Sequence, residues 1–164
     1  MIEVHIFTDG SCRGNPGPGG WSVVLLKPGS GHRKELCGGY RLTTNNRMEL
    51  LAAIEGLSAL KFPCAVTLFT DSQYLANAIN KGWLAGWRAG DWKQKNGKPR
   101  LNADLWRHLD NLLKIHQVRF SWLKGHAGHK ENERCDFLAR EFAARTDLPK
   151  DEEYEKSIRQ GVVD

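Results

Sequence analysis

Four carboxylates stand where they can act together. Asp9 closes the run Ile2–Thr8, in Thr8-Asp9-Gly10-Ser11, and Asp71 closes another, in Thr70-Asp71-Ser72. Glu49 lies between the core-type residues Met48 and Leu50, in the first turns of what reads as a helix; Asp136 follows Cys135 near the start of a second helix. If the runs ending in Asp9 and Asp71 pair as parallel strands, both aspartates emerge at the carboxyl edge of a sheet, where α/β proteins favour ligand sites. Like charges that close raise one another's pKa, and a hard divalent cation resolves the conflict. Mg²⁺ takes carboxylate oxygens and keeps waters that phosphate oxygens can replace. Two such ions about 4 Å apart can clamp the attacking and leaving oxygens of a phosphoryl displacement. Taken singly, each residue has a plainer reading. An Asp after a strand is more often a turn former or helix cap, and a lone Glu49 would be a solvated helix residue. The metal reading rests on all four converging, and so on the topology.

The elements that must bring them together follow from periodicity. Residues 2–8 alternate and are rich in β-branched side chains, which predicts a strand. A Gly/Pro-rich turn follows, through Gly10, Gly14, Pro16, Gly17, Pro18, Gly19 and Gly20. Strands over 21–27 and roughly 32–40 complete an antiparallel meander. Thr43, Thr44, Asn45 and Asn46 are N-cap types. They precede Met48, Leu51, Ile54, Leu57 and Leu60, whose helical spacing stops before Pro63. Next come a strand over 65–70, a helix over 73–80 ended by Gly82, a helix over 102–115, a strand over 117–122 and a helix over 131–144. Three strands followed by alternation predict an α/β fold with a mixed sheet and helices on its faces. The tail beyond Pro149 is charged and expected to be loosely held.

Composition narrows the partners. A chain of 164 residues, 40% hydrophobic and 26% charged, suits one soluble globular domain. No apolar run is long enough for a bilayer. The start Met1-Ile2-Glu3-Val4-His5 lacks the layout of a secretion signal, so the expected location is cytoplasmic, without a membrane partner. Cys12, Cys37, Cys64 and Cys135 are scattered and read as reduced thiols. The glycine-rich turn lacks the Gly-Lys-Ser/Thr ending of a P-loop, which argues against ATP. The net charge of +5 points to a polyanion. All of it sits in residues 81–100, where Lys81, Arg88, Lys93, Lys95, Lys98 and Arg100 face one acid, Asp91. The same window holds Trp83, Trp87 and Trp92.

Five segments, in this order, carry a resemblance: Thr8-Asp9-Gly10-Ser11, Thr44-Asn45-Asn46-Arg47-Met48-Glu49-Leu50, Thr70-Asp71-Ser72-Gln73-Tyr74, Lys124-Gly125-His126-Ala127-Gly128-His129 and Asn132-Glu133-Arg134-Cys135-Asp136. Together they resemble bacterial type 1 ribonuclease H over about residues 3–145. The resemblance implies a ribonuclease H-like fold: a five-stranded mixed sheet, its first three strands antiparallel, flanked by helices and bearing a basic protrusion. It also implies a monomeric endonuclease that cleaves the RNA strand of RNA–DNA hybrids with two Mg²⁺ ions, Mn²⁺ being an alternative. A catalytic domain would span 1–148, with a handle over about 81–100, and a charged tail 149–164.

Position by position, the resemblance assigns metal binding to Asp9, Glu49, Asp71 and Asp136, and makes His126 a mobile catalytic histidine. An imidazole titrates near neutrality and can accept or pass a proton; the plainer reading of His126 is a surface loop residue. Recognition of RNA requires sensing the 2′-OH, both donor and acceptor, which suits the amides of Asn15, Asn45, Asn46 and Gln73. Asn45 reads equally well as a helix cap. Thr44 matches a DNA-phosphate contact, with Arg47 close enough to help. In the handle, Lys81, Arg88, Lys93, Lys95 and Lys98 would neutralise phosphates, while Trp83, Trp87 and Trp92 pack it or lie against sugars, packing being the expectation. Phe137 departs from the acidic residue that many relatives carry after the last metal ligand. Docking of a single-strand-binding protein is not readable from the residues. A non-catalytic hybrid-binding module would lack one of the four carboxylates. A resolvase or strand transferase of the same fold would lack the amide set together with the handle.

Overall fold

A computed structural model describes residues 1–161. The strands are β1 (Ile2–Cys12), β2 (Gly17–Leu26), β3 (Arg33–Thr43), β4 (Cys64–Thr70) and β5 (Gln117–Trp122). The helices are α1 (Asn45–Ser58), α2 (Gln73–Asn80), α3 (Trp83–Ala89), α4 (Ala103–Leu113), α5 (Lys130–Ala143) and α6 (Glu152–Arg159). The strands form one sheet in the order β3-β2-β1-β4-β5. β1 runs antiparallel to β2, and β2 to β3, whereas β1–β4 and β4–β5 are parallel. The expected mixed sheet with an antiparallel meander is therefore present. No helix among the described residues is long and apolar enough to cross a membrane.

β1 runs four residues beyond the expected strand, because glycines that read as a turn are strand residues. Gly19 and Gly20 pair with Cys12 and Ser11. Their missing side chains serve close approach: a Cβ on Gly20 would lie 2.2 Å from the Ala139 carbonyl oxygen of α5. Gly10 does the same on the opposite face, where a Cβ would stand 2.4 Å from the Glu49 nitrogen. β1 thus lies directly against the first turn of α1.

α1 starts at Thr44, whose hydroxyl accepts a hydrogen bond from the Arg47 N–H at 3.2 Å. The cap is thus Thr44, and Asn45 is the first helical residue. α1 is apolar on nearly all sides, being wedged between the sheet and α4. Its Leu50, Ile54 and Leu57 join Ile6, Val23, Leu68 and Leu75 in the main core.

Two elements are absent from the expectation. Inside the basic window, α3 is rooted in aromatic contacts. Trp87 meets the buried Trp106 at 5.0 Å between centroids, and Arg100 lies over Trp87 at 5.1 Å. Trp92 is buried too, so two of the three handle tryptophans pack as expected, whereas Trp83 is 44% exposed. The second is α6, and it overturns the loosely held tail as far as residue 161, the last three residues of that tail lying outside the described residues. Asp151 is only 5% exposed. It accepts hydrogen bonds from Thr43 Oγ1 at 2.8 Å and from Arg47 Nε at 2.9 Å. A charged segment has no local apolar period to announce docking; its partners lie more than a hundred residues earlier.

Candidate active site

Parallel pairing of β1 with β4 ends at Phe7↔Phe69. Asp9 and Asp71 each lie two residues further on. Since side chains alternate between faces, Asp9 belongs to the face of Phe7, while Asp71 is the first residue past the end of β4. β1 continues past this point with β2 alone, whereas β4 ends at Thr70. Glu49 enters from the first turns of α1, brought close by Gly10. Carboxylate oxygens of Asp9, Glu49 and Asp71 all lie within 4.8 Å of one another.

The fourth carboxylate stands off from this group. Cys135 is fixed to the sheet, its carbonyl accepting from Ser22 Oγ at 2.6 Å and its Sγ donating to the Phe7 carbonyl at 3.3 Å. Asp136 therefore follows β1 closely enough for its charge to raise the Asp9 pKa. Its carboxylate is paired with Arg140, one turn along α5, at 3.0 Å.

The electrostatics suit a cation. Burial, and after it the Asp71 charge, push the Asp9 carboxyl up to about 8. Burial and the facing Asp9 charge hold Glu49 well above the usual carboxylate range. Glu49 Oε2 is buried without a hydrogen-bond partner. An all-oxygen donor set with an orphaned buried oxygen fits a hard dication such as Mg²⁺. If Asp136 is to reach such an ion as the resemblance implies, Arg140 would compete for it. An exposed ion pair is worth up to about 1 kcal/mol, so Arg140→Ala is expected to tighten Mg²⁺ binding about two- to fivefold. The melting temperature followed against MgCl₂ concentration checks this, and an unchanged half-saturation point refutes it.

The other expected residues fall around this centre. Asn15 and Asn45 meet directly, the Asn15 Oδ1 accepting from the Asn45 N–H at 3.1 Å. Gln73 opens α2 two residues after Asp71 and is exposed. Asn46 is half-buried at the head of α1. His126 is exposed, with φ 56°, in the loop whose Gly125 packs against Asp71: a Cβ there would lie 2.9 Å from Asp71 Oδ2. Thr44 is buried beneath α1 as its cap.

Arg47 departs from the expectation of a DNA-phosphate contact. It is buried, with Asp104 at 2.8 Å and Asp151 at 2.9 Å on its guanidinium. Although burial works against its charge, these two acids raise its pKa above the usual value. Arg88 is also engaged, 3.3 Å from Asp110, whereas Lys81, Lys95 and Lys98 are exposed and, among the described residues, Lys93 has only the exposed Asp91 at 3.8 Å. Sequence reasoning missed Trp122, whose indole N–H donates to the Asp71 carbonyl at 3.1 Å and steadies the end of β4. It also missed Arg140. An i, i+4 pairing with Asp136 is visible in the sequence, but its bearing on the site depends on where α5 lies.

A family model, RNase H, matches residues 2–144. The chain belongs to the ribonuclease H family. Within that family it is of the bacterial type 1 kind. It is 60% identical over 154 residues to the ribonuclease H of Nitratidesulfovibrio vulgaris (strain DSM 19637 / Miyazaki F), covering 94% of this chain and 97% of that protein. It is also 60% identical, over 152 residues, to the ribonuclease H of Syntrophus aciditrophicus (strain SB), covering 93% and 87%. Among solved structures, LC9-RNase H1, a type 1 RNase H with the type 2 active-site motif, superposes with a TM-score of 0.77 at 30% identity, covering 99% of this chain and 83% of that one. RNase H1 from the halophilic archaeon Halobacterium salinarum NRC-1 gives 0.62 at 28% identity, covering 85% and 96%. The meander and the parallel β1–β4 pair are therefore those of a ribonuclease H fold.

Proposed function

We propose that this ribonuclease H is a monomeric, cytoplasmic endoribonuclease that hydrolyses the RNA strand of RNA–DNA hybrids with Mg²⁺, leaving 5′-phosphate and 3′-hydroxyl ends. The observation that carries the reading is the convergence of Asp9, Glu49 and Asp71 beside the amide pair Asn15–Asn45. Asp9, Glu49, Asp71 and Asp136 would hold two ions, which when bound supply Lewis-acid stabilisation of the phosphoryl oxygens and a lowered pKa of water. Without them the carboxylates would repel the scissile phosphate.

The chain's own groups divide the remaining work. Asn15 spends its oxygen on the Asn45 N–H and keeps its NH₂ as donor, so it can give a hydrogen bond to a 2′-OH. Asn45, Asn46 and Gln73 add donors and acceptors around the same centre. Thr44, which the resemblance matches to a DNA-phosphate contact, spends its hydroxyl oxygen on the α1 cap and is only 2% exposed, so its part is to fix the head of α1 that carries Asn45 and Asn46. His126 takes or returns a proton at the edge of the site, its loop able to swing between Gly125 and Gly128. The lysines of the arm attract the hybrid through its phosphates without reading sequence.

Support for this reading comes from the geometry and from relatives that are named ribonuclease H. The test is cleavage of a labelled RNA–DNA hybrid beside double-stranded DNA of the same sequence, in Mg²⁺ and in EDTA. Hybrid cleavage confined to Mg²⁺ is expected; activity in EDTA, or equal cutting of DNA, refutes it. Replacing Lys81, Lys93, Lys95 and Lys98 by alanine is expected to flatten the salt dependence of hybrid binding by about 0.9 for each phosphate no longer neutralised. kcat should hardly change. Titrations across a salt series would show this, and an unaltered slope would remove the arm from the reading.

A further inference from the structure

Outside the handle the sequence is formally neutral, but the fold separates the charges. The carboxylates gather near the carboxyl ends of β1 and β4, and just past the last residue of β1, Cys12, three arginines from three separate segments gather instead. Arg13 comes from the β1–β2 turn, Arg41 from the end of β3, and Arg145 from just beyond α5. They line an open cavity of about 520 Å³ whose other walls include Pro18, Ala143 and Leu148.

Among the described residues, neither Arg13 nor Arg145 forms an ion pair with a carboxylate. Arg145 lies over the Phe142 ring at 4.3 Å, a contact to the ring face that commits none of its N–H groups to a carboxylate. Arg41 spends Nε and one terminal nitrogen on Glu155, at 3.0 and 2.8 Å, and keeps the other. Arg41 and Arg145 are held by these contacts yet keep free N–H groups, which match phosphate oxygens, and the small apolar walls suit the C–H faces of sugars.

The location indicates which phosphates. The Arg13 N–H donates to the Pro18 carbonyl at 2.7 Å, closing the turn that carries Asn15. Arg13 is four residues beyond Asp9, so along β1 it stands about 13 Å from the carboxylates. A duplex laid along β1, advancing about 3.4 Å of axis per phosphate of one strand, covers that distance in roughly four base steps. We propose that Arg13, Arg41 and Arg145 form a second backbone site, which grips the hybrid about four base steps from the cleaved phosphate as it passes the β1–β2 turn. The proposal rests on the hybrid-cleaving reading above.

Its test is a binding titration, by fluorescence anisotropy over a salt series, with Asp71→Asn protein as the silenced parent. The probes are an RNA–DNA hybrid reaching about ten base steps either side of the target phosphate and two versions trimmed close to it at one end or the other. Arg13→Gln/Arg145→Gln added to the parent should lower the salt slope by about two and weaken binding of the full hybrid about tenfold. The weakening should persist with one trimmed hybrid and vanish with the other. Both residues are exposed, so the melting temperature should stay within about 2 °C, a shift expected of less than 1 kcal/mol. Arg13→Lys/Arg145→Lys should retain the slope. An unchanged slope in the glutamine variant, or equal weakening on all three probes, overturns the second site. If the unsubstituted protein fails to cleave the hybrid in Mg²⁺, the functional reading fails, and this proposal with it.

Discussion

Asp71→Asn is expected to slow hybrid cleavage on the order of a thousandfold, about 4 kcal/mol of lost transition-state stabilisation, while making the metal-free protein more stable. The two effects have one cause. Asp9 and Glu49 are buried, and Asp71 lies among them with its carboxylate oxygen inside the same 4.8 Å group. Without a cation, that arrangement is repulsive. The asparagine keeps the shape and removes the charge, so folding improves as ion binding is lost. Single-turnover cleavage together with a thermal melt in EDTA checks both. A variant that cleaves at near the parent rate, or that melts lower in EDTA, contradicts this account of the site.

The same physics sets a pH dependence. The Asp9 carboxyl is raised from 3.8 to about 8, first by burial and then by Asp71, and Glu49 is raised in the same direction. The folded chain therefore retains protons that the unfolded chain releases. The stability they contribute is complete below about pH 4 and is lost as the pH rises through about 8. Metal-free protein should melt lower at pH 8 than at pH 5.5, and Mg²⁺, which favours the ionised carboxylates, should narrow the gap. In Asp71→Asn the gap should shrink even in EDTA.

The second large effect lies far from the chemistry. Asp151→Ala is expected to cost about 3–5 kcal/mol of folding stability, the range for breaking one side of a buried ion pair. Arg47 would remain buried with only Asp104 to balance it, the latter's side chain being 34% exposed. Thr43 would lose its acceptor, and α6 would lose its cap, since Asp151 Oδ1 also accepts from the Tyr154 N–H. At about 2–4 °C per kcal/mol for a chain this size, the melting temperature should fall by roughly 6–20 °C. Asp151→Asn keeps one oxygen, which can serve the Thr43 hydroxyl or the Tyr154 N–H but not both, and should lose less than the alanine variant. Urea titrations of both variants would test the ranking. A loss below about 1 kcal/mol in Asp151→Ala would mean that Asp104 alone suffices for Arg47.

Legibility in the sequence follows how local each cause is. α2 and β5 fall at their expected residues, 73–80 and 117–122, because caps, breakers and short-range periodicity act within a few positions. The β1–β2 glycines mislead because glycine marks either a turn or a close approach, and only the presence of α5 against Gly20 distinguishes the two. α3 is hidden because its apolar anchors, Leu84 and Trp87, make a short stripe inside a strongly basic stretch.

By itself the sequence determined which residues could do chemistry: the carboxylates after the apolar runs, the amides beside them, and a basic arm. Those are properties of residue type and of neighbours along the chain. Only the tertiary structure decided which of them meet. It placed Asp9, Glu49 and Asp71 together and left Asp136 beside Arg140. It turned Arg47 inward to Asp151 in a tail expected to be loose. It also assembled Arg13, Arg41 and Arg145 around one cavity. The reason is physical: a charge's role depends on what stands within a few ångströms of it and on how much water remains there. Both are set by segments far apart in sequence.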